Sequence, residues 1–383
     1  QDKNLLDRVG KQEYLTKLLD ASVTSYNTKH YVNLIRDKAL MRKMIEVSQR
    51  IAEEGLEGQP SVDEYLDAAE KHVLEVSHNR RAGEFKGTPE LMNSVLENIH
   101  KMAENRSDVT GLKTGFQELD RTLHGFQRGD LVIVAARPSM GKTAVSLNLA
   151  MNIALFQPEE AVAIFSLEMG AESLAMRFLS AKSQVISDKL KTGRLTDSEW
   201  NDVNAAAGDL RACKIFIDDN SMSKVSDIAA KARRLQAEHG LSMILIDYIQ
   251  LITGDRKSSG ESRQQEVSDI SRGLKNIARE LNVPVIALSQ LSRSVEQREN
   301  KRPMLSDLRE SGAIEQDADV VMMLYRDAYY NEAAKEEAEK NGTETLEINI
   351  AKHRNGATRK ITLAFKGDTN CLYNLENNRE IPE

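Results

Sequence analysis

The chain has 383 residues, 29% of them charged, and a formal net charge of −7. That length exceeds what one hydrophobic core usually supports, so two domains are expected. The mild acidity argues neither for nor against a nucleic-acid partner, because only local patches matter. Cys213 and Cys371 are too few and too far apart for a metal cluster or a disulfide framework, so the chain reads as cytosolic and reduced. No apolar run approaches membrane-spanning length and no secretory signal is present, so no membrane partner is expected. The first residue is Gln1 rather than Met, which leads us to expect a fragment without its natural start.

Residues 1–78 read as helices with few strand signals. Leu34, Met41, Met44, Ile45, Ser48 and Ile51 form a stripe at helical spacing, flanked by Arg36, Lys38, Arg42, Lys43 and Glu46. Gly55 to Pro60 predicts a turn, and Ser61-Val-Asp-Glu64 predicts a capping box opening a helix to about Val76. Residues 79–106 read as a linker. Within it Thr88-Pro-Glu90 supplies an N-cap, a proline at the first helical position and an acid in the first turn. The helix that follows, about 88–105, carries Leu91, Met92, Val95, Leu96, Ile99 and Met102 on one face, which must dock on its own core domain or on a neighbouring subunit.

From residue 107 to 383 short β-type runs alternate with helical patterns. Strands are predicted at Leu131–Val134, Val162–Ser166, Ile215–Ile217, Met243–Asp247, Val285–Ser289, Val320–Leu324, Leu346–Ala351 and Ile361–Phe365. Several are continuous apolar runs, as expected of strands buried on both faces. Their alternation with helices such as Val225–His239 and Gln264–Leu281 implies an α/β fold with a mostly parallel sheet. Ligands then gather beyond the carboxyl ends of the strands, and the motifs below are expected there.

The first predicted strand runs into Ala136-Arg137-Pro138-Ser139-Met140-Gly141-Lys142-Thr143, after which a helical pattern begins at Ala144. A strand, a tight loop ending in Gly-Lys-Thr and a helix form the setting of a phosphate-binding P-loop. Backbone N–H groups from Ala136 to Ala144, all but that of Pro138, would face the phosphates. Lys142 would reach the β- and γ-phosphates of a nucleoside triphosphate, and Thr143 would hold Mg²⁺. Ala136 stands where a first glycine is usual, and a residue without a long side chain can fill that place.

Glu168, in Ser166-Leu-Glu-Met169, ends the second strand, where a carboxylate can take a proton from a water attacking the γ-phosphate. Met243-Ile-Leu-Ile-Asp247 is an apolar strand ending in a carboxylate suited to lie by Mg²⁺. Val285-Ile-Ala-Leu-Ser-Gln290 ends in a glutamine able to sense the γ-phosphate. Lys352 and Arg354, in Ala351-Lys-His-Arg-Asn-Gly356, end a late strand and read either as a solvated charged turn or as an arginine finger for a neighbouring subunit. Two segments could line a channel for a phosphate backbone: Ser292 to Pro303, starting with Arg293, and Asp307-Leu-Arg309-Glu310-Ser-Gly312, with Gly312 allowing close main-chain approach. Neither interleaves aromatics, so base stacking is not suggested.

Taken in order, Gly129-Asp130, the P-loop, Phe165-Ser-Leu-Glu-Met169, Leu245-Ile-Asp-Tyr-Ile-Gln-Leu251, Ala287-Leu-Ser-Gln-Leu-Ser-Arg293, Asp307 to Asp319 and Ala351 to Gly356 resemble the DnaB family of bacterial replicative DNA helicases. The resemblance covers essentially Gly111 to Leu375. It implies a RecA-like core in a homohexameric ring that translocates 5′ to 3′ on single-stranded DNA with hydrolysis of Mg-ATP. It also implies nucleotide and Mg²⁺ binding by Lys142, Thr143 and Asp247, water activation by Glu168 and γ-phosphate sensing by Gln290. Lys352 and Arg354 become trans-acting cations, and Arg309, Glu310 and Gly312 a DNA-backbone loop. The N-terminal part resembles the end of the family's small all-α collar domain, truncated here, with residues 88–105 as a linker helix docking on the neighbouring protomer. Primase and a helicase loader are the partners this implies. Two rival classes share such a core: a filament-forming RecA-type recombinase, and a non-catalytic hub. The long helical segment before the core suits a ring better than a filament. The joint presence of Glu168, Asp247, Gln290 and Arg354 has no use in a scaffold.

Overall fold

A computed structural model describes residues 28–57, part of 61–73, 87–105, 109–254 and 263–375. Two compact units divide between Ile99 and His100. Asp63 and Glu64 of the predicted capping box, residues 58–60 of the predicted turn at 55–60, and residues 79–86 and 106 of the expected linker lie outside the described residues.

In the first unit one helix runs from Thr28 to Glu57. Gly55, expected to open a turn, therefore sits inside the helix. It is there because Tyr65 lies against it: a Cβ would stand 2.8 Å from the Tyr65 hydroxyl oxygen, which donates to the Ile51 carbonyl at 2.8 Å. The predicted stripe is mostly exposed, with Leu34, Met41 and Ile45 about half accessible. A second helix, Thr88–Asn105, matches the expected linker helix, and Leu91, Met92, Val95, Leu96, Ile99 and Met102 on its apolar face are all exposed.

The second unit is built on a nine-stranded sheet ordered β3-β2-β4-β5-β1-β6-β7-β8-β9. The strands are β1 (Leu131–Ala136), β2 (Ala161–Ser166), β3 (Ile215–Asp218), β4 (Leu241–Asp247), β5 (Val285–Gln290), β6 (Val320–Arg326), β7 (Glu344–His353), β8 (Lys360–Lys366) and β9 (Cys371–Asn374). From β3 to β6 all neighbours are parallel; β7, β8 and β9 follow as an antiparallel meander. β9 has no counterpart among the predicted strands.

Side-chain alternation explains the layering. Leu131, Ile133 and Ala135 of β1 enter a core that includes Ile228 and Leu274 from the helices Val225–His239 and Arg263–Leu281. Val132, Val134 and Ala136 enter the opposite core, with Val145 and Leu149 of the helix Lys142–Phe156. The central strands β1, β2 and β4 are buried along their whole length, hence their continuous apolar runs. β7 and β8 bury only alternate residues: Leu346, Ile348 and Ile350 on one, Ile361, Leu363 and Phe365 on the other.

Candidate functional site

β1 delivers the chain into a loop in which Ser139 (φ 65°) and Gly141 (φ 82°) adopt left-handed backbone conformations. Only glycine takes that conformation freely, and a Cβ at Gly141 would also stand 3.2 Å from Leu346. The turn this permits lets Lys142 open the helix, whose first N–H groups have no partner within it. Arg326, at the end of β6, braces the loop by donating from Nη1 to the Ser139 carbonyl at 2.6 Å. Its guanidinium pairs with Glu344 and lies over the Phe365 ring at 4.9 Å.

Lys142, Thr143 and Asp247 converge although 104 residues separate the threonine from the aspartate. Thr143 Oγ1 donates to Asp247 Oδ2 at 3.0 Å. Lys142 Nζ stands 4.0 Å from Asp247 Oδ1, too far for a hydrogen bond, and 4.4 Å over the Tyr248 ring. Burial lowers the Lys142 pKa and raises that of Asp247, in each case outweighing their mutual attraction. Asp247 Oδ1 is buried with no hydrogen-bond partner. A lysine and a carboxylate both kept short of partners form a site fitted to a polyanion with a divalent cation. Thr143 and Asp247 are the residues that would hold Mg²⁺. Among the described residues no group of three or more His, Cys, Asp or Glu could hold a metal ion, so phosphate oxygens and water would supply the other ligands.

Glu168 lies beside this pair. Ser166 of β2 is level with Asp247 of β4, and the turn beyond is fixed by Ser166 Oγ donating to the Met169 carbonyl at 2.6 Å and by Leu167 N donating to the Asp247 carbonyl at 2.8 Å. Glu168 itself is exposed, and its charge raises the pKa of Lys142, Asp247 and Tyr248. Gln290, also exposed, ends β5 level with Ala136. Gln250 holds it: its Nε2 donates to Ser289 Oγ at 3.0 Å and to the Gln290 carbonyl at 3.2 Å, while its Oε1 accepts from Gln290 N at 3.3 Å. That bracing role was not foreseen from the sequence. Nor was Arg177, on the helix Ala171–Ser183, whose charge lowers the Asp247 pKa. No spacing rule marks either residue, because each acts across a fold contact.

Of the predicted phosphate loop, Ala136 and Met140 are buried, and Pro138 and Ser139 are exposed. The Arg137 side chain turns away. It is 9% exposed and donates to the Leu291 carbonyl at 2.8 Å and to Glu296 Oε1 at 2.9 Å. Only its backbone remains to face a nucleotide. A cleft of about 730 Å³ opens beside Arg326, lined by Tyr329, Tyr330, Lys335, Glu344 and Phe365.

The expectation that all motifs gather at the carboxyl ends of the strands fails for Lys352 and Arg354. β7 runs antiparallel to β6 and pairs Lys352 with Val321, near the amino end of the parallel strands. Lys352 is therefore level with Ile133, about 10 Å along β1 from its P-loop end, and Arg354, bonded to Asp319 beside Leu131, lies about 17 Å from that end. Lys352 donates to the carbonyls of Glu315, Gln316 and Ala318, and Arg354, 52% exposed, reaches Asp319.

In the basic segment after β5, Arg298 pairs with Asp307, and Arg302 forms a two-pronged pair with Glu347 at 3.1 and 2.6 Å. Those charges are committed within the chain. Arg293 is exposed on the rim of a cavity of about 450 Å³ shared with Arg137, Gln250 and Gln290. Gly312, exposed, opens the short helix Gly312–Asp317; the side chains of Arg309 and Glu310 lie outside the described residues.

Residues 111–374 match the family model of the DnaB-like helicase C-terminal domain. The chain is 49% identical over 371 residues to the replicative DNA helicase DnaB of Geobacillus stearothermophilus, spanning 97% of this chain and 80% of that protein. It is similar to a solved structure described as an ATPase domain, with TM-score 0.69 and 40% identity over 76% of this chain and all of the other. A DnaB-like replicative helicase described with its primase interactions aligns with TM-score 0.76 and 35% identity, over 97% of this chain and 85% of that one.

Proposed function

The chain belongs to the DnaB-like replicative helicases, and from that membership we propose that it is an ATP-driven motor. In this reading it works as a homohexameric ring that moves 5′ to 3′ on single-stranded DNA and unwinds duplex ahead of it. The observation that carries the reading is the split of the site. Lys142, Thr143, Asp247 and Glu168 lie at one end of the sheet, and Lys352 and Arg354 lie at the other. A cation that cannot reach its own chain's nucleotide reaches another's when copies pack head to tail, and such contacts generate rings when the rotation closes.

Each residue then has one task. Lys142 receives the β- and γ-phosphates, and the desolvation that lowers its pKa in the free chain is offset by the incoming negative charge. Thr143 and Asp247 hold Mg²⁺, which when bound neutralises charge on the phosphate oxygens. Glu168, exposed and held at the tip of β2, accepts a proton from the attacking water. Gln290, fixed by Gln250, reads the presence of the γ-phosphate. Arg354 from the next subunit stabilises charge developing in the transition state, a contribution of about 10³-fold or more. The cleft beside Arg326, where Tyr329 stands exposed, takes the nucleobase. Arg293, Arg309 and Gly312 track the DNA backbone, with Glu310 orienting a neighbouring cation. Primase and a helicase loader are proposed partners, on the resemblance to helicases of this family.

The test is steady-state ATP hydrolysis with and without single-stranded DNA, together with particle mass and shape in the presence of an ATP analogue. Forks labelled on either strand report polarity. A monomer that hydrolyses ATP at an undiminished rate would overturn the split-site reading.

A further inference from the structure

Arg354 is half exposed, on the turn after a strand, and a free arginine side chain carries about 2 kcal/mol of rotamer entropy. A finger serves the transition state only if that freedom is already restricted. The restriction comes from Asp319. Its carbonyl accepts from Arg354 N at 2.8 Å, and its Oδ1 accepts from Arg354 Nη1 at 3.3 Å. The carboxylate is itself immobile, 5% exposed. Its Oδ2 accepts from Leu131 N at 2.8 Å and from the Lys275 ammonium. Lys275 is held in turn by the Gly129 carbonyl at 2.8 Å. Asp319 N closes the arrangement by donating to the Leu131 carbonyl at 2.9 Å. With Oδ2 committed to the chain, Oδ1 is left to aim the guanidinium.

Leu131 is the first residue of the strand that ends in the P-loop. One carboxylate thus connects the root of a subunit's own phosphate-binding strand to the finger that the subunit offers its neighbour. We propose that Asp319 is a positioning residue for hydrolysis at the adjacent subunit's nucleotide, setting the Arg354 guanidinium relative to β1 so that the finger moves with the P-loop strand of its own chain. This rests on the proposal that Arg354 acts in trans. The competing role for Asp319 is to neutralise buried Lys275, and the two roles make different demands.

The experiment compares Asp319→Asn, Arg354→Ala and the double variant in the full chain, assembled on single-stranded DNA. Asp319→Asn should lower kcat by about a hundredfold, the scale of a misplaced catalytic group, with KM for ATP within about twofold. The double variant should be no slower than Arg354→Ala alone, because a residue acting through another loses nothing further. Losses that multiply would overturn the proposal. Asp319→Asn leaves Lys275 with Asp130, 3.9 Å away, in place of its nearer partner and can fail to fold, so Asp319→Glu is run beside it. That variant keeps the charge and displaces the carboxylate by one methylene; it should melt like wild type and still lose kcat, and full activity would count against the proposal.

Mixed assemblies separate this proposal from the reading beneath it. Lys142→Ala subunits keep an intact finger. Mixed equally with Arg354→Ala subunits, they leave about a quarter of interfaces with both an intact P-loop and an intact finger, if subunits associate at random round the ring. Recovery in that control with none for the Asp319→Asn mixture would sink the Asp319 proposal alone. No recovery in the control would sink the trans finger and this proposal together. Recovery in both is the expected result.

Discussion

Lys142 offers the sharpest test of whether the site is held in reserve for a polyanion. Its ammonium stands 4.0 Å from Asp247 Oδ1 in a buried setting. At an effective dielectric constant near 20 that separation is worth about 4 kcal/mol of attraction. The directions of both pKa shifts show that burial opposes it and wins. Lys142→Met removes the charge while keeping most of the stem packed on Tyr248. The nucleotide-free protein should then lose only about 1–3 kcal/mol, since Asp247 is left without its counter-charge but can take up a proton. The double variant Lys142→Met/Asp247→Asn, with no buried charge left in the pair, should recover that loss or exceed wild type. Nucleotide reverses the ranking. At a ligand concentration of about 100 times its Kd, wild type gains about 2.7 kcal/mol, or about 3–5 °C in melting temperature for a chain of this size. A hundredfold loss of affinity in Lys142→Met would leave about 0.4 kcal/mol, a shift near the limit of detection. Thermal melts with and without Mg-ADP measure both quantities. A ligand-induced shift in Lys142→Met equal to that of wild type would show that the lysine does not meet the phosphates. Loss of cooperative unfolding without nucleotide would show that it is a packing residue.

Three further outcomes are expected. Glu168→Gln should bind nucleotide normally and slow single-turnover hydrolysis by about 10²-fold or more; ordinary turnover would remove it from the role of base. Arg309→Ala should weaken single-strand binding equally on poly-dT and mixed sequence and reduce the log–log salt slope by about 0.7, as read by anisotropy titrations across a salt series; a loss confined to one base composition would mean that the loop reads bases. The pKa of Asp130 is pushed up to about 6, first by burial and then by Asp319. Because the folded value lies above the unfolded one, its protonated form contributes stability that is present below about pH 4 and is lost as pH rises through 6. Asp130→Asn should therefore raise the melting temperature at pH 8 and leave it unchanged at pH 4, and the same gain at both pH values would contradict this.

Much of the motor was legible because its signals are local. The apolar runs of β1, β2 and β4 are continuous because both faces are buried, and Gly141, Lys142 and Thr143 fall at a strand-to-helix junction that the pattern itself announces. Asp247 was recognisable as a carboxylate ending such a run. Arg137 was not legible. A cation inside a phosphate loop invites a phosphate contact, yet its partners are Leu291 and Glu296, residues 154 and 159 places on. Nothing near Arg137 in sequence records them. Gln250 and Gln290 are likewise joined across the β4–β5 pair, 40 residues apart. β9 was missed because four residues of edge strand carry too short an alternation to separate from a turn.

Strand direction is the deeper omission, and it bears on mechanism. Alternation of Leu346, Ile348 and Ile350 reveals a strand buried on one face but is the same read in either direction. Taken as another parallel strand, β7 would carry Lys352 and Arg354 to the P-loop end and make them ligands of their own chain's nucleotide. Antiparallel to β6, it carries them to the opposite end, Lys352 level with Val321 and Arg354 at Asp319, one place before Val320. The switch from parallel to antiparallel pairing after β6 thus places the two groups of proposed catalytic residues at opposite ends of the sheet. On the proposed trans role of Arg354, a chain built this way completes its site only with a neighbour, and the cost of assembly is set against the full value of the finger. Asp319 stands where the two halves meet, bonded both to the root of β1 and to the residue that follows β7. If the halves communicate through the rigid sheet alone, Asp319→Glu will be silent; if through this carboxylate, one methylene will suffice to break the link.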